Sequence, residues 1–126
     1  MNKILLFFSF FLLPINAFTD DWKKFGRTKS GTVYFSDVEK KGDKVFYNNL
    51  LNLYKSDEGI NCIKDRRVIK CKNLHWKYIS LQSFKTDFCS GEPLVNVPRT
   101  HLKKSEWNQS LKGSVDFKLH SELCKK

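Results

Sequence analysis

The chain has 126 residues, a formal net charge of +10, four cysteines and three histidines. That length suits one domain and leaves little room for a large core. The basic excess favours contact with anionic surfaces (nucleic acid, acidic glycans, phospholipid headgroups or an acidic protein) without choosing among them. No Cys-x-x-Cys pair occurs, which removes the usual zinc and thioredoxin-like signatures.

Residues 1–17, MNKILLFFSFFLLPINA, read as an export signal. Lys3 gives a positive start, 4–13 are apolar and small residues, Pro14 breaks the run, and Ala17 is the small residue before a cleavage point. A retained anchor needs roughly 20 apolar residues, whereas this run soon meets Thr19, Asp20 and Asp21. No cysteine follows it, which argues against a lipid-modified N-terminus. The expectation is a single domain over 18–126, delivered to the periplasm or secreted. Cys62, Cys71, Cys89 and Cys124 all fall in that part. An even number in a short exported chain reads as a disulfide framework, and spacing alone leaves three pairings open.

Residues 22–28 lead into Lys29-Ser30-Gly31, and Thr32-Val33-Tyr34-Phe35 follows. A Ser-Gly pair between β-branched and aromatic runs signals a hairpin. Residues 37–41 are expected to form one helical turn or a loop, and Gly42-Asp43 a second turn. Residues 44–54, KVFYNNLLNLY, favour a strand, with Val45, Tyr47, Leu51 and Leu53 on one face at period two. The polar stretch 55–59 reads as a loop. From 68 to 84 the alternation runs long enough for one extended, bent strand. Leu74, Trp76 and Tyr78 share one face, but Ile79 and Leu81 share the other. That switch implies a bulge, a bend or burial on both sides. Residues 90–93 read as a turn, 94–97 as a short strand and 98–106 as an irregular polar stretch. Gly113-Ser114 followed by 115–125 reads as a capped helix, with Ser114 as N-cap and Asp116 in the first turn. Val115, Leu119 and Leu123 form its one narrow apolar stripe. So short a helix is marginal alone and needs to dock.

No catalytic constellation emerges. His75, His101 and His120 fall on three different expected elements: a strand, a polar loop and a surface helix. A His-dependent nuclease or envelope enzyme using His75 or His120 is the alternative function. No Gly-x-Ser-x-Gly element supports a serine nucleophile, and no His-x-His or His-x-x-x-His spacing supports a metal site. The aromatic residues read as core. A nucleic-acid stacking platform around Trp76, Lys77 and Tyr78 is disfavoured, because a half-buried strand gives the same alternation.

Taken in order, these pieces resemble the surface-adhesin protein E family of small exported bacterial domains. The matching residues are Trp22, Gly31-Thr-Val-Tyr-Phe35 followed by Asp37-Val38, the strand 44–54, and Cys71 with the aromatic and basic strand running to Phe84. A Gly91-Glu92 turn, Trp107, Gly113-Ser114, a short helix and Cys124 complete the match over nearly all of 22–124. The resemblance implies an α+β fold: a curved antiparallel sheet with a C-terminal helix fastened to it by a disulfide. It pairs Cys71 with Cys124, which leaves Cys62 for Cys89. It implies adhesion to protein or extracellular-matrix ligands, and an association with haem for which His75, His101 and His120 are the axial candidates.

The expected function is a non-enzymatic binding module without a required cofactor or metal. It contacts a macromolecule through a basic sheet face, with Arg66, Arg67, Lys70, Lys72 and Lys77 as contact residues. A periplasmic subunit that pairs through a sheet edge, as a homodimer, is the structural alternative.

Overall fold

The computed structural model describes residues 21–97 and 106–125. The expected signal at 1–17, His101 and nearly all of the polar stretch 98–106 lie outside the described residues. Within them, each strand pairs antiparallel with the next in sequence: β1 (Lys23–Arg27), β2 (Gly31–Lys41), β3 (Lys44–Asp57), β4 (Ile60–Lys70), β5 (His75–Phe84) and β6 (Val95–Val97). The short β7 (Asn108–Gln109) pairs with the His75 end of β5. The fold is α+β, an open curved sheet carrying one helix, α1 (Val115–Leu123). Tight turns join β1 through β5, which keeps loop closure short over that part of the sheet.

The hairpin turns are set locally. Thr28 Oγ1 accepts from the backbone N–H groups of Ser30 at 3.0 Å and Gly31 at 3.1 Å, which closes the β1–β2 turn. Gly31 has to lack a side chain, because a Cβ there would sit 2.1 Å from the Asn52 carbonyl oxygen on β3. Gly42, with φ of +62°, supplies the left-handed residue of the β2–β3 turn.

Alternation along the strands gives the sheet two faces. The inner face carries Val33, Val45, Tyr47, Ile69 and Trp76, and α1 covers it with Leu119 and Leu123. Ser114 caps the helix, its Oγ accepting from Phe117 N–H at 3.1 Å. Burying Leu119 and Leu123 contributes about 2 kcal/mol each, which is how a nine-residue helix persists. Among the described residues, one end of the outer face carries a second apolar cluster. There Leu50, Cys62, Phe84 and Cys89 pack with Trp22 and Tyr34 beneath a tight turn at Asp87–Cys89.

Two disulfides fix these coverings, Cys71–Cys124 holding the helix end to the β4–β5 turn and Cys62–Cys89 holding the 87–89 turn to β4. This is the pairing that the resemblance implies. Lys40 adds a second tether, its Nζ donating to the Lys125 carbonyl at 2.9 Å.

Three expectations are corrected. Residues 37–41 are neither helical turn nor loop: β2 continues to Lys41 across a bulge between Ser36 and Glu39, where Asp37 has φ of +50°. The bulge interrupts the period-two pattern without ending the strand. Residues 55–57 also belong to β3, which pairs Asp57 with Ile60 beyond the core, leaving Glu58-Gly59 as the turn. Residues 68–84 are not one strand but the end of β4, a turn through 71–74 and the whole of β5. Ile79 is the bulge anticipated near Tyr78, since Arg66 pairs with Ser80 while Arg67 pairs with Tyr78.

Candidate functional site

The other end of the outer face is basic. Register places Lys41 opposite Lys44, Lys44 opposite Lys70, and Lys70 opposite His75, so these residues form one row across β2, β3, β4 and β5. Neighbouring strands lie roughly 4.8 Å apart, and like charges set directly opposite one another destabilise a sheet. Aromatic rings sit beneath the ammonium groups. Lys70 Nζ is 4.0 Å and Lys77 Nζ 5.7 Å from the centre of the Trp107 ring, and Lys41 Nζ lies 5.4 Å from that of Phe46. Each aromatic face partly offsets a cation, and Lys41 Nζ also lies 3.9 Å from Glu39 Oε2.

Of the five expected contact residues, three share this face: Arg66, Lys70 and Lys77. Lys72 is exposed in the 71–74 turn beside it. Arg66 is already engaged, its Nη2 donating to Glu39 Oε1 at 2.6 Å and its Nη1 to Asn48 Oδ1 at 2.9 Å. Arg67 is the correction. One residue further along β4, it points to the inner face, is only 6% exposed, and is held by carboxylates beneath the helix. Burial and pairing remove it from any surface contact set.

Arg67 instead organises a buried polar network. Its Nε donates to Asp65 Oδ1 at 2.6 Å, its Nη2 to Asp65 Oδ2 at 3.3 Å, and its Nη1 to Asp116 Oδ1 at 3.3 Å. The guanidinium lies 4.3 Å from the Trp76 ring centre and 5.5 Å from that of Tyr78. Arg67 Nη1 also donates to the Tyr47 hydroxyl at 3.4 Å, and that hydroxyl is 2.8 Å from Nε2 of His120. Because Tyr47 accepts from Arg67, its proton points to Nε2, and the neutral imidazole then carries its proton on Nδ1, 3.5 Å from Ser110 Oγ. The donors run in one direction: Arg67, Tyr47, His120, Ser110.

Burial sets the electrostatics here. It lowers the His120 pKa to about 4, with the nearby Arg67 charge acting in the same direction. It raises the phenols of Tyr47 and Tyr78 above their ordinary value. Burial also pushes the Asp65 carboxyl upward, against the strong pull of Arg67.

The two described histidines do not converge. His120 was expected on a surface helix face, but the structure buries it completely. His75 begins β5 on the outer face, so the sheet separates the two and no single substrate reaches both. Among the described residues there is no group of three His, Cys, Asp or Glu side chains placed to hold a metal ion. Nor, among them, is any helix long and apolar enough to cross a membrane.

Reading the sequence missed Trp107 as a platform for Lys70 and Lys77, because only β7 pairing brings it beside them. It also missed Asn49 and Asp65. For Asn49 the signal was present, a polar residue at an inward position between Tyr47 and Leu51; Asp65 stands between Ile63 and Arg67, where the pattern is not apolar. Compared with known proteins, the chain matches no protein-family model and no curated protein.

Proposed function

We propose that this chain is an exported, non-enzymatic binding module that captures an anionic macromolecule, an acidic protein or matrix ligand, on the outer face of its sheet. The row of Lys41, Lys44 and Lys70 carries the reading. Three ammonium groups opposite one another weaken an isolated sheet, and the arrangement gains stability when an extended polyanion lies across it. Lys77 and Lys72 widen the row, and Trp107 and Phe46 give it an apolar floor suited to a chain with both charge and carbon skeleton. The apolar leader at 1–17 and the two disulfides support export to an oxidising compartment. The resemblance to the surface-adhesin protein E family supports adhesion as the use of that surface.

The test is retention on immobilised sulfated glycan and on poly-glutamate, read as the salt needed for elution. Lys44→Glu with Lys70→Glu is expected to lower that salt sharply, while Lys23→Glu with Lys24→Glu at the far edge leaves it nearly unchanged. Equal losses from both pairs would reduce the interaction to net charge and remove the site. Selective retention of single-stranded nucleic acid over both acidic probes would replace the proposed ligand class.

A further inference from the structure

The two disulfides differ in what surrounds them. Cys62 is 0% and Cys89 9% exposed, packed with Leu50 and Phe84 beneath the 87–89 turn. Cys71 and Cys124 are partly buried, and both line a cavity of about 620 Å³ at the end of α1. Disulfide exchange requires a thiolate to approach a sulfur in line with the S–S bond, so access separates labile bridges from inert ones. A volume of this size admits a small organic thiol.

Charge around the cavity selects the thiol. Its lining holds Lys40, Lys72 and Lys125 against Asp43. Lys125 Nζ lies 3.3 Å from Glu122 Oε2, so one of these cations is paired at the surface. Lys40 Nζ donates to the Lys125 carbonyl at 2.9 Å, which brings its charge to the helix end that carries Cys124. With Glu122 counted, the surroundings remain positive. Such a field draws in a negatively charged attacker and stabilises the thiolate that leaves. The two sulfurs also differ. Cys71 stands between Lys70 and Lys72 in the chain, whereas Cys124 is the C-cap of α1, at the negative end of the helix dipole. Negative charge is better tolerated on Cys71.

We propose that the Cys71–Cys124 bridge is an exchange site for small anionic thiols, while Cys62–Cys89 stays closed. The incoming thiolate attacks Cys124 Sγ and forms a mixed disulfide with it as the bond to Cys71 breaks. The electron pair of that bond leaves on Cys71 Sγ, which takes up the proton the attacking thiol released to solvent. The incoming sulfur is oxidised, Cys71 is reduced, and no other reagent is consumed. The step removes the covalent tie between α1 and the β4–β5 turn. It goes beyond polyanion capture and does not rest on it.

The oxidised protein, without denaturant and at low ionic strength, is incubated with 2-mercaptoethanesulfonate or with cysteamine. Quenching with iodoacetamide at early times and peptide mass spectrometry then locate the products. The sulfonate adduct is expected on Cys124 and the alkyl label on Cys71, with Cys62 and Cys89 still joined. Rates are normalised to those of the same two thiols with hydroxyethyl disulfide, which is uncharged. On that scale the anionic thiol should react about threefold faster than the cationic one, the size of a single charge acting through water at close range. Lys72→Gln, an exposed position, should shrink this ratio, and about 1 M salt should remove it. Equal normalised rates for the two thiols overturn the proposal. So does an adduct confined to Cys71, or opening of Cys62–Cys89 as fast as Cys71–Cys124.

Discussion

The Tyr47 hydroxyl lies 2.8 Å from Nε2 of His120, joining the middle of β3 to the fully buried side of α1. This bond crosses from sheet to helix at the centre of the core, where both partners are withdrawn from water. Removing one partner strands the other. Tyr47→Phe is therefore expected to cost about 2 kcal/mol, most of it from the unpaired imidazole nitrogen. The double variant with His120→Leu should lose less than the sum of the single variants. Additive losses in a urea double-mutant cycle would show that the two groups are not coupled.

Asp65 and Arg67 form a buried ion pair whose one further ionic partner among the described residues is Asp116. Asp65→Asn leaves the guanidinium with the half-exposed Asp116 alone and is expected to destabilise by about 3 kcal/mol. Replacing both charges, as Asp65→Leu with Arg67→Met, should recover most of that loss, because no uncompensated charge remains. Chemical denaturation of the three variants checks the order, and a double variant weaker than Asp65→Asn would contradict it.

Acid should weaken the fold through His120. The unfolded chain takes up this proton at the ordinary value of 6.5, whereas the folded chain resists it down to about 4. Below pH 6.5 the unfolded state thus binds more protons, and stability falls as pH drops from 6.5 to about 4. The full difference amounts to about 3 kcal/mol. His120→Leu should flatten the profile across this window. A slope that survives the substitution has another source.

The two disulfides should differ in what they hold. Cys71–Cys124 spans 53 residues of sequence and Cys62–Cys89 spans 27. The chain-entropy model assigns roughly 4 and 3.5 kcal/mol to them. Cys71→Ala with Cys124→Ala should lower the urea midpoint and lose helical circular dichroism first, because the docked helix is too short to persist alone. The Cys62→Ala, Cys89→Ala pair should instead release the 87–89 turn and expose Phe84 and Leu50 while α1 stays docked. Loss of helix signal in the second pair and not the first would reverse the assignment.

Much of this architecture was written locally. The Ser30-Gly31 and Gly42-Asp43 turns, the strand at 44–54, the bulge beside Tyr78 and the cap at Ser114 each depend on residues within a few positions. The misreadings have two causes. Residues 37–41 and 55–57 are polar because they lie beyond the covered core, and an exposed strand has the composition of a loop. The β4–β5 turn, Cys71-Lys72-Asn73-Leu74, contains no glycine or proline, and Leu74 adopts φ of +60° without advertising a turn. The candidate surface was legible as a cluster of basic residues, but not as a row. Lys41, Lys44 and Lys70 are scattered in sequence and meet only through register.

By itself the sequence determined a basic, cysteine-bearing series of strands joined by turns and ending in a short capped helix, since period-two alternation, turn chemistry and capping are short-range properties of the chain. Only the tertiary structure decided which basic residue faces which side. Arg66 and Arg67 are adjacent and chemically alike, yet a strand sends successive side chains to opposite faces, and the docked helix makes one face dry. It set Arg67 among Asp65, Asp116, Tyr47 and Trp76, left Arg66 beside the lysine row, and buried His120, because those fates depend on which surface another element covers.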